Sequence, residues 1–149
     1  MKKHFTVILL VDESPRQVFN AVLNVRGWWQ GFHSEEITGE TSALNDEFSF
    51  RAGGGAHYSR QKLVDVVPDK RVVWLVTESG LTFIDKQDEW DGTRIIFEIS
   101  RIGDQTQLRF THEGLTPEIE CYDSCSTAWD MYLQEKLLTL ISTQPVSAA

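Results

Sequence analysis

A long amphipathic run near the C-terminal end of the chain constrains the fold more than any other feature. After Gly114 and Pro117, apolar residues recur at steps of three and four over about 24 residues, which is the spacing of one buried helix face. This face consists of Tyr122, Cys125, Trp129, Tyr132 or Leu133, Lys136 or Leu137, and Leu140 or Ile141. No other predicted element is long enough to cover one whole face of a sheet.

The N-terminal segment predicts a strand followed by a helix. In HFTVILLVD, alternate apolar residues from Phe5 to Val11 lie on one face of a strand. Ser14 then precedes Pro15, which is typical of a helix start, and apolar residues at helical spacing follow. We expect this helix to end near Gly27, so that GWWQGF forms a connection or a short second helix.

The middle of the chain predicts about six further strands. The clearest are DEFSFRA, HYSRQKLVDVV, RVVWLVT, TRIIFEIS and QTQLRFTH, whereas LTFIDKQDEW is a weaker candidate. The run Gly53–Gly55 precedes a strand and not a helix, so it predicts a hairpin turn and not a phosphate-binding loop. Strands grouped together with helices at the ends indicate an α+β fold, in which a curved antiparallel sheet grips the C-terminal helix.

Length and charge limit the domain organisation and the partners. The chain has 149 residues, which suits a single domain over residues 1–142 with a flexible tail over 143–149. Its net charge of −8 argues against a nucleic-acid partner but leaves a basic protein partner open. The apolar run near the N-terminus alternates and is too short to span a bilayer. We therefore expect a cytoplasmic protein without membrane insertion.

The segments in this order resemble the START-like superfamily, also called SRPBCC or Bet v 1-like. Within it, they are most similar to the family of the activator of heat-shock-protein-90 ATPase homologue. The segments that carry the resemblance are FTVILLVDESPRQVFNAVLNVRGWW, KLVDVVPDKRVVWLV, EWDGTRIIFEISRIGDQTQLRFTHEGL and ECYDSCSTAWDMYL. The resemblance implies a helix-grip fold with a cavity between sheet and helix that takes lipids, sterols, polyketides or other apolar molecules. The family name implies a co-chaperone role, but no invariant catalytic set is carried over.

His112 and Glu113 end a predicted strand, and the pair raises the question of catalysis. His112 shares its parity with Leu108 and Phe110, so we expect it to point inward. Glu113 lies on the opposite parity, which argues against a catalytic pair. A structural role for His112 is favoured, with ligand contact at the cavity rim and acid–base chemistry as open alternatives.

Cys121 and Cys125 lie four residues apart and share a helix face. A disulfide between them would distort the helix. A zinc site would need two more ligands, such as His112 and His57. We therefore expect small buried thiols at the helix–sheet interface, with redox sensing as an alternative and no metal or cofactor.

Aromatic residues give the remaining signal for a binding site. The five tryptophans form a large core or line a cavity, and in the second case Trp28, Trp29 and Trp129 are the strongest candidates. The predicted ligand-binding residues are Trp28, Trp29, Phe50, His57, Trp74, Phe97, Phe110, His112, Cys125, Trp129 and Leu133.

No catalytic or nucleotide-binding motif accompanies these residues. The leading hypothesis is therefore non-enzymatic binding of a small hydrophobic or amphipathic molecule or lipid. The alternatives are a co-chaperone-like module that stimulates a heat-shock ATPase, and an enzyme that acts through His112 on a substrate held in the cavity.

Overall fold

The structure is a computed structural model that describes residues 4–145. Within these residues, seven antiparallel strands form one sheet in the order β1-β7-β6-β5-β4-β3-β2. The strands are β1 Phe5–Val11, β2 Glu36–Gly39, β3 Glu47–Ala52, β4 His57–Val67, β5 Arg71–Leu81, β6 Arg94–Ile102 and β7 Gln105–Glu113. The predicted α+β architecture is confirmed.

One long helix follows the sheet, as the amphipathic run predicts. It consists of α3 Tyr122–Met131, a π-helical segment Tyr132–Leu137 and α4 Leu138–Thr143, together called the C-terminal helix. The predicted tail over 143–149 lies partly outside the residues that the structure describes. In the part of the chain that is described, every helix is too short or too polar to cross a membrane.

The first helix, α1 Pro15–Leu23, begins where the sequence predicts. Ser14 Oγ accepts a hydrogen bond from the Gln17 backbone N–H at 3.2 Å, and Gln17 Oε1 accepts one from the Ser14 backbone N–H at 2.9 Å. This reciprocal capping satisfies two N–H groups that would otherwise lack partners at the helix start. The helix ends earlier than predicted, and α2 Val25–Trp28 follows as the short second helix.

Two features of the sheet differ from the sequence prediction. The short edge strand β2 lies in a segment whose alternation is too brief to indicate a strand. The weak candidate LTFIDKQDEW is not a strand: after Leu81 the chain runs through turns as far as β6. This connection carries charged residues at five of its positions between 85 and 91, which interrupt any apolar alternation.

The core lies between the concave face of the sheet and the C-terminal helix. Along β7, Leu108, Phe110 and His112 are fully buried, and the residues between them are more exposed, so the predicted inward parity is confirmed. The helix contributes Leu133, Leu137 and Ile141 to the same core.

Candidate ligand pocket

A cavity of about 260 Å³ lies at one end of the interface between sheet and helix. It is lined by Trp29, His33, Phe50, Ala52, Gly53, Ala56, His57, Phe83, Trp90, Ser124, Cys125, Ala128, Trp129 and Tyr132. Exposed lining residues, among them His33, Ser124 and Phe83, mark the mouth of the pocket. Phe83 is 47% exposed. The wall is mainly aromatic, and none of its side chains is a carboxylate, an ammonium or a guanidinium group.

The C-terminal helix supplies one wall through a single face. Cys125, Ala128, Trp129 and Tyr132 lie three, four and seven residues apart, so they project toward the same side. Ala128 is the smallest of the four, and its methyl group leaves space between the larger neighbours. The pocket therefore depends on a small residue within an otherwise bulky helix face.

Trp29 connects this helix wall to the sheet. It follows α2 directly, and its indole stacks on the Phe50 ring at 4.1 Å between centroids. The same indole lies 4.9 Å from the Trp129 ring. Aromatic pairs in such geometries stabilise each other beyond simple burial, so these walls are expected to be rigid.

Trp90 closes the pocket from the connection between β5 and β6. Its ring meets His57 edge to face at 4.6 Å and lies nearly parallel to Trp129, with 6.0 Å between centroids. Its indole N–H donates to Cys121 Sγ at 3.4 Å. The segment LTFIDKQDEW, which the sequence predicts only weakly as a strand, thus forms one wall of the pocket.

His112 lies behind these walls and holds them in place. Its Nδ1 accepts a hydrogen bond from the Trp129 indole N–H at 3.0 Å, and its Nε2 lies 2.9 Å from Thr93 Oγ1. The Thr93 hydroxyl donates to the Trp90 carbonyl at 2.7 Å. Because an indole nitrogen can only donate, His112 Nδ1 must be the acceptor and Nε2 must carry the proton. The imidazole is therefore neutral and links both tryptophans.

Burial explains why His112 stays neutral. Removal from water, with smaller repulsion from His57 and His4, lowers the pKa of His112 to about 3. The hydrogen bond between His112 and Thr93 requires a glycine at position 114. Gly114 has a φ of 104°, and a Cβ added there would lie 2.5 Å from Thr93 Cγ2. The motif His112–Glu113–Gly114 is thus a strand end that admits Thr93.

His57 differs from His112 because it lines the pocket. Burial is the main cause that lowers its pKa to about 4, so the imidazole is uncharged at neutral pH. Its Nδ1 is buried and has no hydrogen-bond partner in the protein. His57 therefore presents a neutral polar edge among aromatic rings.

Cys121 and Cys125 are buried free thiols, as predicted for this helix face. The hydrogen bond to Cys121, together with burial, raises the pKa of the Cys125 thiol, so it stays protonated. Nearby, the Glu89 carboxylate accepts from the Glu120 and Cys121 backbone N–H groups at 2.9 and 3.1 Å. Among residues 4–145, no three histidine, cysteine or acidic side chains are grouped so that they could hold a metal ion.

Tyr132 ties the helix to the loop at the pocket mouth. Its hydroxyl donates to Glu35 Oε2 at 2.5 Å, and Glu35 Oε1 accepts from the Gly31 backbone N–H at 2.9 Å. Burial works to raise the pKa of Glu35, but the hydrogen bonds outweigh it and lower that pKa. Lys136, one turn further along the helix, lies 4.9 Å over the Phe32 ring.

The predicted ligand-binding residues fall into two groups. Five of them line the pocket: Trp29, Phe50, His57, Cys125 and Trp129. The other six lie in the core beside it: Trp28, Trp74, Phe97, Phe110, His112 and Leu133. Trp28, for example, donates its indole N–H to the Val22 carbonyl at 3.1 Å and packs edge to face on Phe97.

Sequence reasoning missed several lining residues, and two could have been found. Ala128 and Tyr132 share the helix face of Cys125 and Trp129, so the helical spacing alone indicates them. Phe83 and Trp90 lie in the irregular connection, where no periodicity relates a residue to the sheet. Their position depends on how that connection folds back over β4.

A family model for proteins described as activator of Hsp90 ATPase homolog 1-like matches residues 12–142 of the chain. No curated protein matches the sequence significantly. Among solved structures, the Aha1 dimer of Colwellia psychrerythraea is 22% identical, with 99% of both chains covered and a TM-score of 0.70.

Two further structures have the same overall fold. A protein of Chromobacterium violaceum is 14% identical over 95% of this chain and 98% of its own, with a TM-score of 0.71. A protein of Rhizobium loti is 21% identical over 95% of this chain and 97% of its own, with a TM-score of 0.69. At these identities, the similarity shows that the fold is shared.

Proposed function

The chain belongs to the family of activator of Hsp90 ATPase homolog 1-like proteins, and from this premise we propose that it binds a small apolar molecule between the sheet and the C-terminal helix. The family and its fold support a ligand-binding type of domain. The observation that carries the proposal is the open, aromatic-walled cavity beside Trp129.

The size of the cavity limits the occupant. Its volume of about 260 Å³ lies just below the range of roughly 300–1,000 Å³ that is typical of small-molecule sites. A compact molecule of one or two fused rings suits this volume better than a long acyl chain does. The aromatic faces of Trp29 and Trp129 favour a planar body.

The histidines favour binding over turnover. Both ring nitrogens of His112 are engaged by Trp129 and Thr93, so neither is free to take a proton from a substrate. His57 lines the pocket, but its lowered pKa of about 4 makes it a weak base at neutral pH.

The first experiment is native mass spectrometry of the protein gently purified from its own host, followed by solvent extraction. We expect a stoichiometric small molecule that is released on denaturation. The matched comparison is Ala128→Leu, which narrows the cavity, against Thr127→Leu, which adds the same side chain at an exposed position of the helix. An equal load on both variants would contradict binding in this pocket.

The family description supports a second candidate function, that of a co-chaperone-like module that stimulates a heat-shock ATPase. The net charge of −8 suits a basic partner surface. The test is ATP turnover by the Hsp90-type ATPase of the same host with and without this protein. Unchanged turnover together with no co-purification would exclude it.

A further inference from the structure

Three residues of β4 carry polar atoms that the protein leaves without partners. Among the residues that the structure describes, the buried side-chain nitrogen and oxygen atoms lacking a hydrogen bond are His57 Nδ1, Ser59 Oγ, and both Gln61 Nε2 and Oε1. We call these three residues the β4 polar row. A buried polar atom without a partner costs stability, and most such atoms in folded proteins are paired.

The row has a regular geometry. Residues two apart on a strand point to the same face, and each such step spans about 6–7 Å. His57, Ser59 and Gln61 therefore lie in line on the concave face of the sheet. Ser59 and Gln61 are fully buried. The unpaired atoms are thus concentrated along one strand and not scattered through the core.

Four other buried polar side chains, those of Gln17, Thr93, Thr106 and His112, are paired within the protein. Thr106 Oγ1 donates to the Glu13 carbonyl at 2.6 Å, and the Gln17 amide donates to the Gln144 carbonyl at 3.0 Å. Thr93 and His112 bond each other. Because the fold satisfies these groups, the β4 polar row calls for a partner of its own.

The row begins at the wall of the pocket. His57 is a lining residue, and Ser59 lies opposite the lining residue Phe50 across the β3–β4 ladder. On its other side, the pairing of β4 with β5 shifts register between Arg60 and Gln61, so that one residue of β5 is left over as a bulge. Bulges are frequent beside binding sites, where they re-aim side chains.

The electrostatics of the pocket define the polar group that fits. None of its lining side chains is a carboxylate, an ammonium or a guanidinium group, and the His57 imidazole inside the pocket is uncharged at neutral pH. A carboxylate or ammonium group would lose its hydration there without gaining an ion pair. A neutral hydroxyl, carbonyl or amide group needs only a hydrogen-bond partner.

We propose that the occupant of the pocket is an uncharged molecule with a planar apolar body, and that its polar group hydrogen-bonds the β4 polar row, beginning at His57 Nδ1. This inference rests on the proposed function and narrows it. The apolar body packs against Trp29, Trp90 and Trp129, and the row selects the end of the molecule that enters first. Neutral hydroxylated or carbonyl-bearing aromatic molecules are the ligand class that meets both requirements.

The test compares three probes that share one ring system: naphthalene, 2-naphthol and 2-naphthoate. Isothermal titration calorimetry at pH 7 measures the affinity of each for the full chain. We expect 2-naphthol to bind at least about fivefold more tightly than naphthalene, since one neutral hydrogen bond contributes that much. We expect 2-naphthoate to bind more weakly than both.

Variants of the row separate a role in recognition from a role in folding. His57→Phe and Ser59→Ala should reduce the affinity for 2-naphthol to that for naphthalene, while naphthalene binding changes little. Thermal unfolding of the ligand-free variants should show no loss of stability, because each change removes an unpaired polar atom. Ser100→Ala, at an exposed position of β6, is the matched control.

The outcomes distinguish this inference from the proposed function. If 2-naphthol and naphthalene bind equally, or if His57→Phe leaves their difference intact, the pocket binds apolar molecules but the row does not recognise them. If 2-naphthoate binds most tightly, the uncharged class is wrong. If none of the three probes binds, the proposed function fails and this inference fails with it.

Discussion

The hydrogen bonds of His112 join the two layers of the molecule at the pocket wall. Trp129 belongs to the C-terminal helix, His112 belongs to β7, and Thr93 is the residue directly before β6. A single neutral side chain thus fixes the indole orientation on which the shape of the pocket depends. At this scale, the chain uses a histidine as a connector with one donor and one acceptor.

Replacing His112 by Leu should destabilise the fold by about 2–4 kcal/mol, because the Trp129 indole N–H is then buried without a partner. His112→Asn should lose less, since an amide oxygen can take the place of Nδ1. Urea denaturation monitored by circular dichroism measures the free energy of unfolding of both variants. Equal stability of His112→Leu and the wild type would show that this chain of hydrogen bonds is dispensable.

His57 and His112 should make the protein less stable in acid. In the unfolded chain, imidazoles take up protons below their ordinary pKa of 6.5, whereas in the folded chain His57 does so only near pH 4 and His112 near pH 3. Between these limits the unfolded state binds more protons, so the free energy of unfolding falls as the pH falls.

Urea midpoints at pH 7, 6, 5 and 4.5 test this dependence. Below pH 6.5, the free energy of unfolding of the wild type should fall relative to that of His57→Phe. The expected relative loss is at most about 1 kcal/mol for each pH unit. Parallel curves for the two proteins over this range would contradict the lowered pKa of His57.

At the scale of elements, the C-terminal helix controls the pocket mouth through its π-helical segment. Tyr132 begins that segment and holds Glu35, and Lys136 lies within the same segment over Phe32. A wider helical turn changes which residues face one direction, and such segments are frequent at functional sites. The loop over residues 31–35 therefore depends on the helix for its position.

Tyr132→Phe should release this loop while the core stays folded. The loss of the hydrogen bond to Glu35 should cost about 1–2 kcal/mol and raise the pKa of Glu35. Amide hydrogen exchange should become faster at Gly31 and Phe32, because their backbone N–H groups donate hydrogen bonds to the Glu35 carboxylate. Tyr122→Phe on the same helix is the control, and equal exchange in both variants would argue against the link.

The sequence predicts regular elements well and the connections between them poorly. The inward parity of Phe110 and His112 follows from strict alternation, and the helix face of Cys125 and Trp129 follows from spacing. Trp90 has no such relation, because its place over His57 depends on turns and on the hydrogen bonds that Glu89 makes to the helix start. Nor could the sequence indicate which inward aromatic residues fill space and which border it.

For the whole molecule, the main question is how a core this rich in aromatic side chains keeps any cavity. Trp28 and Trp74 fill the interior on one side, and Trp29, Trp90 and Trp129 surround the space that is left. The space exists because Ala52, Ala56 and Ala128 are small where the walls meet. A larger side chain at one of these positions should therefore weaken ligand binding while the protein still folds.

Ala128→Leu should abolish or strongly weaken 2-naphthol binding, because its added carbons occupy the cavity. The folded state should keep its stability within about 1–2 kcal/mol, since the new side chain enters existing space. Isothermal titration calorimetry and thermal unfolding measure the two effects. Undiminished affinity, with Thr127→Leu as control, would place the ligand elsewhere.

The contacts among the tryptophans also have an optical consequence. Trp28 and Trp29 stack at 5.8 Å, Trp29 lies 4.9 Å from Trp129, and Trp129 lies 6.0 Å from Trp90. Indoles this close exchange excitation energy, so light absorbed by any of the four reaches one that borders the pocket. The intrinsic fluorescence of the protein will therefore report a bound molecule without any attached label.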